Sequence, residues 1–116
     1  MRLSPHDVRL SVLVAFKGNA NFMMQRYQEA LEWYRQSYAL NPTDPLNNIY
    51  FIAALSLDGH ARDAHIVLER YLANANPRSP RTIASVMSRR ISQNPLYLAT
   101  YEHIEDGLRK AGMPEQ

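Results

Sequence analysis

Apolar residues recur along most of the chain at the three-to-four-residue spacing of an α-helix. Two stripes show this spacing most clearly, one made of Tyr27, Ala30, Leu31, Tyr34 and Tyr38, the other of Tyr97, Tyr101, Ile104, Leu108 and Ala111. Residues so spaced lie on one face of a helix. No segment has the period-two alternation of a strand. The pattern predicts an all-α domain with helices near 6–24, 27–40, 45–58, 61–75, 80–92 and 96–111.

The prolines support this division because each lies where a predicted helix begins or ends. Four follow a residue with a capping side chain, in Ser4-Pro5, Asp44-Pro45, Ser79-Pro80 and Asn94-Pro95. Proline is tolerated at the first helical position, where its missing N–H would have had no partner. The remaining three follow periodic segments and are expected to end them: Pro42, Pro77 and Pro114. Gly112 is a candidate cap for the last helix.

An internal repeat decides the predicted architecture. The tetratricopeptide (TPR) pattern W-x-x-L-G-x-x-Y, then A-x-x-x-F, then P, is matched in part by Gly18, Ala30, Tyr34 and Pro42. One repeat length of about 34 residues further on, Ala64 and Leu68 correspond to Ala30 and Tyr34. Gly59 stands in the turn between the second pair of helices. The chain therefore resembles a TPR domain.

This resemblance implies a short right-handed stack of antiparallel helical hairpins, about six helices in all. Small residues such as Gly18 and Ala30 let paired helices approach, while the rings of Tyr27 and Tyr34 fill the space beside them. Pairs stack because one pair cannot bury both of its faces. We expect one domain over 1–116, divided into repeat 1 (11–44), repeat 2 (45–78) and a degenerate capping hairpin (79–112). Repeat 2 departs from the pattern at Ile52 and Tyr71.

The order of segments resembles one TPR module in particular. It opens with Arg2-Leu3-Ser4-Pro5-His6-Asp7, continues through Tyr-Gln-Glu-Ala-Leu-Glu-Trp at 27–33, and closes with Gly-Leu-Arg-Lys-Ala-Gly-Met-Pro-Glu at 107–115. This is similar to the TPR region found at the C-terminus of many bacterial adenylate/guanylate cyclase-family proteins and winged-helix regulators. The resemblance implies a regulatory or scaffolding part of a longer signalling protein. None of the cyclase's metal-binding or nucleotide-binding motifs is present in the sequence.

The TPR register also implies a binding groove, since the first helix of each pair lines the concave face. The expected lining residues are Val12, Phe16, Asn19, Met23, Leu46, Tyr50, Ala53 and Leu57. We expect Phe16, Met23 and Tyr50 to make the contacts. Of the Lys and Asn residues that TPR domains use to clamp carboxylates, Asn19 alone matches. An apolar, aromatic groove suits an amphipathic helix or an extended segment of a partner protein.

Two alternatives assign the groove differently. It could be covered by the protein's own third hairpin, or it could pack against a second copy in a homodimer. A monomeric peptide binder and a homodimer are distinguished by light scattering over a concentration series. The sequence does not choose between an open and a covered groove.

Composition and charge exclude several other classes. The 116 residues contain no cysteine, so a disulfide framework and a cysteine-based zinc site are excluded. The N-terminus lacks the apolar region of a signal peptide, and the segment from Pro45 to Leu57 is too short and polar to span a bilayer. We expect a cytoplasmic protein. The formal charge of +2 is too small to indicate nucleic-acid binding.

Two charged segments are the remaining candidate sites. His103 with Glu102, Glu105 and Asp106 is a local cluster that could hold a metal, although a solvated acidic helix face is the favoured interpretation. No nucleophile elbow or phosphate-binding loop is present, so we expect neither catalysis nor a cofactor. A basic stretch from Tyr71 to Tyr101 lacks acidic residues and contains Arg78, Arg81, Arg89 and Arg90. We expect these arginines to pair with nearby carboxylates rather than to bind nucleic acid.

Overall fold

The all-α prediction is confirmed by a computed structural model, which describes residues 5–89 and 92–116. Within these residues there are six helices and no strand. The helices are α1 (Pro5–Met23), α2 (Tyr27–Leu40), α3 (Pro45–Leu57), α4 (Ala61–Asn74), α5 (Ile83–Met87) and α6 (Pro95–Ala111). Three residues to which the sequence analysis gave a role lie outside the described ranges together with their neighbour Leu3: Arg2 and Ser4 at the start of the family resemblance, and Arg90 in the basic stretch.

Local sequence signals set the ends of α3 and α6 as predicted. The Asp44 side chain accepts hydrogen bonds from the backbone amides of Leu46 (3.1 Å) and Asn47 (3.5 Å) at the start of α3. Asn94 caps α6 in the same way. Gly112 ends α6 with φ +97°, a left-handed conformation that glycine adopts without a Cβ clash.

The helix predicted over 80–92 is much shorter in the structure, and its predicted cap is wrong. α5 begins at Ile83, and Thr82 is its cap, because the Thr82 hydroxyl accepts a hydrogen bond from the Ser85 amide at 3.1 Å. Pro80 lies before the helix. Its carbonyl accepts a hydrogen bond from the Tyr71 hydroxyl at 2.5 Å, which ties this connection to α4. Pro80 therefore belongs to the loop, unlike Pro45 and Pro95.

Helices α1 and α2 form an antiparallel hairpin. Near its open end the Ser11 and Ser37 hydroxyls lie 3.0 Å apart, and near the turn the Phe22 and Tyr27 rings meet edge to face. Gly18 lies between these points, where a Cβ would be 2.5 Å from the Tyr34 ring. The missing side chain at Gly18 thus makes room for Tyr34, which is fully buried.

Helix α3 is the centre of the core. It contacts α2, α4 and α6, and every residue from Asn47 to Ser56 except Tyr50 is buried. A helix that is apolar on nearly all sides is expected in such a position. Because α6 folds back onto α3, the radius of gyration is 13.2 Å, close to the value of about 13 Å expected for a globular domain of this length.

The remaining positions expected to be structural lie as follows. Ala30, Ala64 and Leu68 are buried, Tyr27 is half-buried, and Pro42 and Gly59 are exposed. Gly59 has φ +85° in the turn between α3 and α4. The Pro42 carbonyl accepts a hydrogen bond from the Asn48 side chain at 3.0 Å, so this proline helps to fix the start of α3.

Candidate functional site: two clefts beside helix α3

Helix α6 covers part of the groove expected from the TPR register. Ala53 is fully buried, and Gly107 lies directly against it: a Cβ at position 107 would be 2.7 Å from the Ala53 carbonyl oxygen. Leu57, one turn further along α3, is half-buried against the core. Ala53 is therefore unavailable to a partner, and at the C-terminal half of α3 the groove is covered by the third hairpin, which is one of the alternatives left open by the sequence. The chain's own last helix covers Ala53.

The N-terminal half of α3 remains open on the side that faces α1. There a cleft of about 230 Å³, here named the α1–α3 cleft, is lined by Val12, Ala15, Phe16, Asn19, Asp44, Leu46, Asn47 and Tyr50. Phe16 is 63% exposed and Leu46 56% exposed, so two large apolar side chains are open to solvent at one cleft. Five of the eight residues expected in the groove line this cleft: Val12, Phe16, Asn19, Leu46 and Tyr50.

Asn47 is a site residue that the TPR register does not include. Its side chain is 3% exposed, and neither Oδ1 nor Nδ2 has a hydrogen-bond partner in the described part of the chain. A buried amide without partners costs free energy, so such groups are rare in native proteins. The sequence feature that could have pointed to Asn47 is the polar pair Asn47-Asn48 within an otherwise apolar helix. Asn48 is explained by its bonds to the carbonyls of Pro42 and Asp44, whereas Asn47 is not.

Tyr50 forms the wall between the α1–α3 cleft and a second cleft. Its ring packs edge to face on Phe22, with centroids 5.5 Å apart, and against Tyr34 at 6.1 Å. Burial, with a smaller effect of nearby Tyr97, raises the pKa of the Tyr50 hydroxyl. Tyr50 is therefore a neutral hydrogen-bond donor at physiological pH, held in place by its aromatic neighbours.

Asn19 lines the cleft as expected but is partly engaged within the fold, whereas Met23 lies outside the cleft. The Asn19 Oδ1 accepts a hydrogen bond of 2.7 Å from the buried Tyr34 hydroxyl, so part of its bonding capacity is used within the first hairpin. Met23 is 38% exposed at the end of α1 but does not line the cleft. The structure thus brings Phe16 and Tyr50 together at one cleft and leaves Met23 outside it.

The second cleft, here named the α3–α6 cleft, lies between α3, α5 and α6. Its volume is about 290 Å³, and its lining includes Ile49, Tyr50, Val86, Arg89, Tyr101 and Ile104. Asp44 and Leu46 line this cleft as well as the first one. The N-terminal end of α3 therefore separates two adjacent openings.

Two arginines of the basic stretch, Arg81 and Arg89, bond to backbone carbonyls. Arg81 donates to the Ala75 carbonyl at 3.0 Å, and Arg89 donates to the Arg78 carbonyl at 2.7 Å. The ion pairs among the described residues involve none of Arg78, Arg81 and Arg89. The expected pairing with carboxylates is therefore wrong for these three residues. Their charges stay uncompensated at short range.

The acidic residues around His103 do not gather into a metal site. Asp106 forms an ion pair with Lys110 at 3.2 Å, and Glu105 lies 3.8 Å from Arg109. Among the described residues no group of three or more His, Asp and Glu side chains is placed to share a metal ion. These i,i+4 pairs are typical of a solvated helix face.

The fold and the two clefts define a helical-hairpin protein with an open surface beside one central helix. Comparison with protein-family models, with curated proteins and with solved structures finds no match for the chain. No helix in the described ranges combines the length and the apolar character needed to cross a membrane.

Proposed function

We propose that this chain is a non-catalytic, TPR-like interaction module that binds an apolar segment of a partner protein in the α1–α3 cleft. The observation that carries the proposal is Asn47, a residue of the cleft lining whose buried amide has no hydrogen-bond partner among the described residues. A turn of this side chain toward the cleft would bring the amide within reach of a bound segment. A bound peptide group offers both a donor and an acceptor to such an amide. The exposed side chains of Phe16 and Leu46 supply apolar contact beside it.

The Asn47 amide favours an extended partner segment over a helical one. Within a helix the backbone N–H and C=O groups are bonded to each other, so they are not available to an asparagine on the receptor. An extended segment leaves these groups free and sets alternate side chains into apolar contact. We therefore propose an extended segment whose apolar side chains lie against Phe16 and Leu46.

The wider context follows from the family resemblance. The proposed module is the C-terminal part of a bacterial cytoplasmic signalling protein of the adenylate cyclase or winged-helix type, where it positions or regulates an attached domain. The full-length reading frame tests this context. A cyclase or winged-helix domain upstream supports it, and an unrelated upstream domain contradicts it.

Peptide display against the purified chain tests the interaction. We expect selection to enrich peptides with two apolar residues separated by one position, binding with a Kd in the micromolar range. Phe16→Asp should weaken the binding of these peptides by at least about tenfold. Leu13→Asp is the matched control, because Leu13 is 60% exposed on the same helix but does not line the cleft. Equal loss in both variants, or no enrichment, would overturn the proposal.

Self-association is the second candidate function. It is favoured by apolar exposure outside the cleft, at Leu10 and Leu13 on α1 and at Met24 directly after it, which are 41%, 60% and 55% exposed. Patches of this kind commonly mark protein contacts. A homodimer predicts a molar mass that doubles over a concentration series in light scattering and returns to the monomer value in Leu13→Asp. A monomer at all concentrations removes this candidate.

A further inference from the structure

The α3–α6 cleft has the size and the floor of a small-molecule site. Its volume of about 290 Å³ corresponds to about ten water molecules, near the lower end of ligand pockets, which span about 300–1,000 Å³. Ile49, Val86 and Ile104 form its floor and are each at most 4% exposed. A ligand that fills the cleft therefore has an apolar body of about ten heavy atoms.

The polar groups of this cleft are mostly hydrogen-bond donors. Burial raises the pKa of the Tyr50 and Tyr101 hydroxyls, so both are protonated at neutral pH. Arg89 lies near enough to Tyr101 to act on its hydroxyl electrostatically. One guanidinium N–H of Arg89 bonds to the Arg78 carbonyl, and no carboxylate among the described residues lies within 4.0 Å of this guanidinium.

Asp44 is the acidic residue at this cleft, and its charge is partly used elsewhere. Its Oδ1 accepts from the Leu46 and Asn47 amides at the start of α3, where the helix dipole favours a negative charge. Asp44 also lines the α1–α3 cleft, which puts it on the edge between the two openings. Arg89 lines the α3–α6 cleft and not the α1–α3 cleft. The α5–α6 side of the cleft is therefore positive.

We propose that the α3–α6 cleft binds a small organic carboxylate with an apolar body, its head group on Arg89 and its body on the aliphatic floor. A carboxylate accepts the charge-assisted hydrogen bonds that a guanidinium donates. A neutral ligand makes no charge-assisted bond with this cation, and a polyanion exceeds the single cation in the lining. Arg89 and the aliphatic floor belong to this site alone, whereas Asp44, Leu46 and Tyr50 line both clefts.

Titration of the full chain with 3-phenylpropionate, followed by amide chemical shifts, tests the site. We expect saturable shifts at Ile49, Val86 and Ile104, with a Kd of about 1 mM or tighter. The neutral analogue 3-phenylpropanamide should bind about tenfold more weakly because it lacks the charge. Shifts centred on Val12 and Phe16, equal affinity for both compounds, or no shift up to about 10 mM would each overturn the proposal.

Arg89→Gln and Arg81→Gln form a matched pair for the charge. Both arginines are exposed and donate to a carbonyl of the same connection, but Arg89 lines the cleft and Arg81 does not. Arg89→Gln should weaken the binding of 3-phenylpropionate by about tenfold, and Arg81→Gln should weaken it by less than about twofold. Equal losses would show a general charge effect and contradict the site. If Arg89→Gln does not fold, the comparison of the two compounds on the unaltered chain still decides the question.

Discussion

Gly107 and Ala53 are in closer contact than any side chain at position 107 would permit. A Cβ there would lie 2.7 Å from the Ala53 carbonyl oxygen and 2.8 Å from the Ala53 Cα. Both of these are backbone atoms of α3, which cannot rotate away as a flexible side chain can. The close approach of α6 to α3, and with it the coverage of Ala53, depends on this glycine.

The first prediction is that Gly107→Ala destabilises the protein. Alanine is favoured over glycine in a helix by about 1 kcal/mol, but the clash with Ala53 forces α6 outward. We expect a net loss of about 1–3 kcal/mol in the free energy of unfolding, measured by urea denaturation. A variant more stable than the parent would contradict the described contact.

The second prediction concerns the crossing of α1 and α2. Ala30 is fully buried, so Ala30→Leu should overpack this contact and cost about 1–3 kcal/mol. Ala39→Leu is the control, because Ala39 is on the same helix and is exposed. An unchanged melting midpoint for Ala30→Leu would contradict the TPR register.

The third prediction is that Asn47→Leu makes the protein more stable and a poorer binder. The substitution removes two buried polar atoms without partners and keeps a similar volume, so we expect a gain of about 1–3 kcal/mol. Peptides selected on the unaltered chain should bind the Asn47→Leu variant more weakly, since their backbone no longer has the Asn47 amide as a hydrogen-bond partner. Isothermal calorimetry and urea denaturation measure the two effects.

Asn48→Leu is the control for this prediction. The Asn48 Nδ2 donates to the carbonyls of Pro42 and Asp44, so its loss should destabilise the start of α3. We expect the free energy of unfolding to rise in Asn47→Leu and to fall in Asn48→Leu. If Asn47→Leu is also destabilising, Asn47 is part of the fold and not a binding residue.

The fourth prediction is a loss of stability at alkaline pH. Burial, with a smaller contribution from Tyr50, raises the pKa of Tyr34 far above its ordinary value of 10.0. Above pH 10 the folded chain keeps Tyr34 protonated while the unfolded chain releases the proton. The contribution of protonated Tyr34 to the free energy of unfolding is therefore complete below pH 10 and is lost as the pH rises above it. Tyr34→Phe should reduce the slope of unfolding free energy above pH 10 by about 1.4 kcal/mol per pH unit. A slope unchanged by the substitution would contradict the burial of this hydroxyl.

Local signals predicted the helices well because they act over a few residues. Asp44, Asn94 and Gly112 each fix a helix end through bonds to their nearest neighbours. The predicted helix start at Ser79-Pro80 was wrong, although a capping residue precedes a proline there too. The Tyr71 hydroxyl donates a hydrogen bond to the Pro80 carbonyl, so Pro80 lies in the loop before α5. That contact joins residues on different elements, and the cap moved to Thr82.

The candidate site was predicted less completely because it depends on contacts between distant parts of the chain. Helical periodicity put Ala53 on the same face as Tyr50, but it could not show that Gly107 would lie over Ala53. The α3–α6 cleft combines Ile49, Val86 and Tyr101, which come from three different helices. Residues so far apart are brought together by the packing of α6, which no local pattern encodes.

The five-residue helix α5 is too short to persist without tertiary support, since isolated helices of this length are not stable in water. Its first amides, at Ile83 and Ala84, donate to the carbonyls of Pro114 and Glu115, and Glu115 is in turn bound by Arg109. The backbone of Pro114 and Glu115 therefore holds α5 in place, and α5 forms one wall of the α3–α6 cleft. We expect a peptide joined directly after Gln116 to disturb these bonds and with them the shape of that cleft, so measurements of ligand binding call for a tag at the N-terminal end.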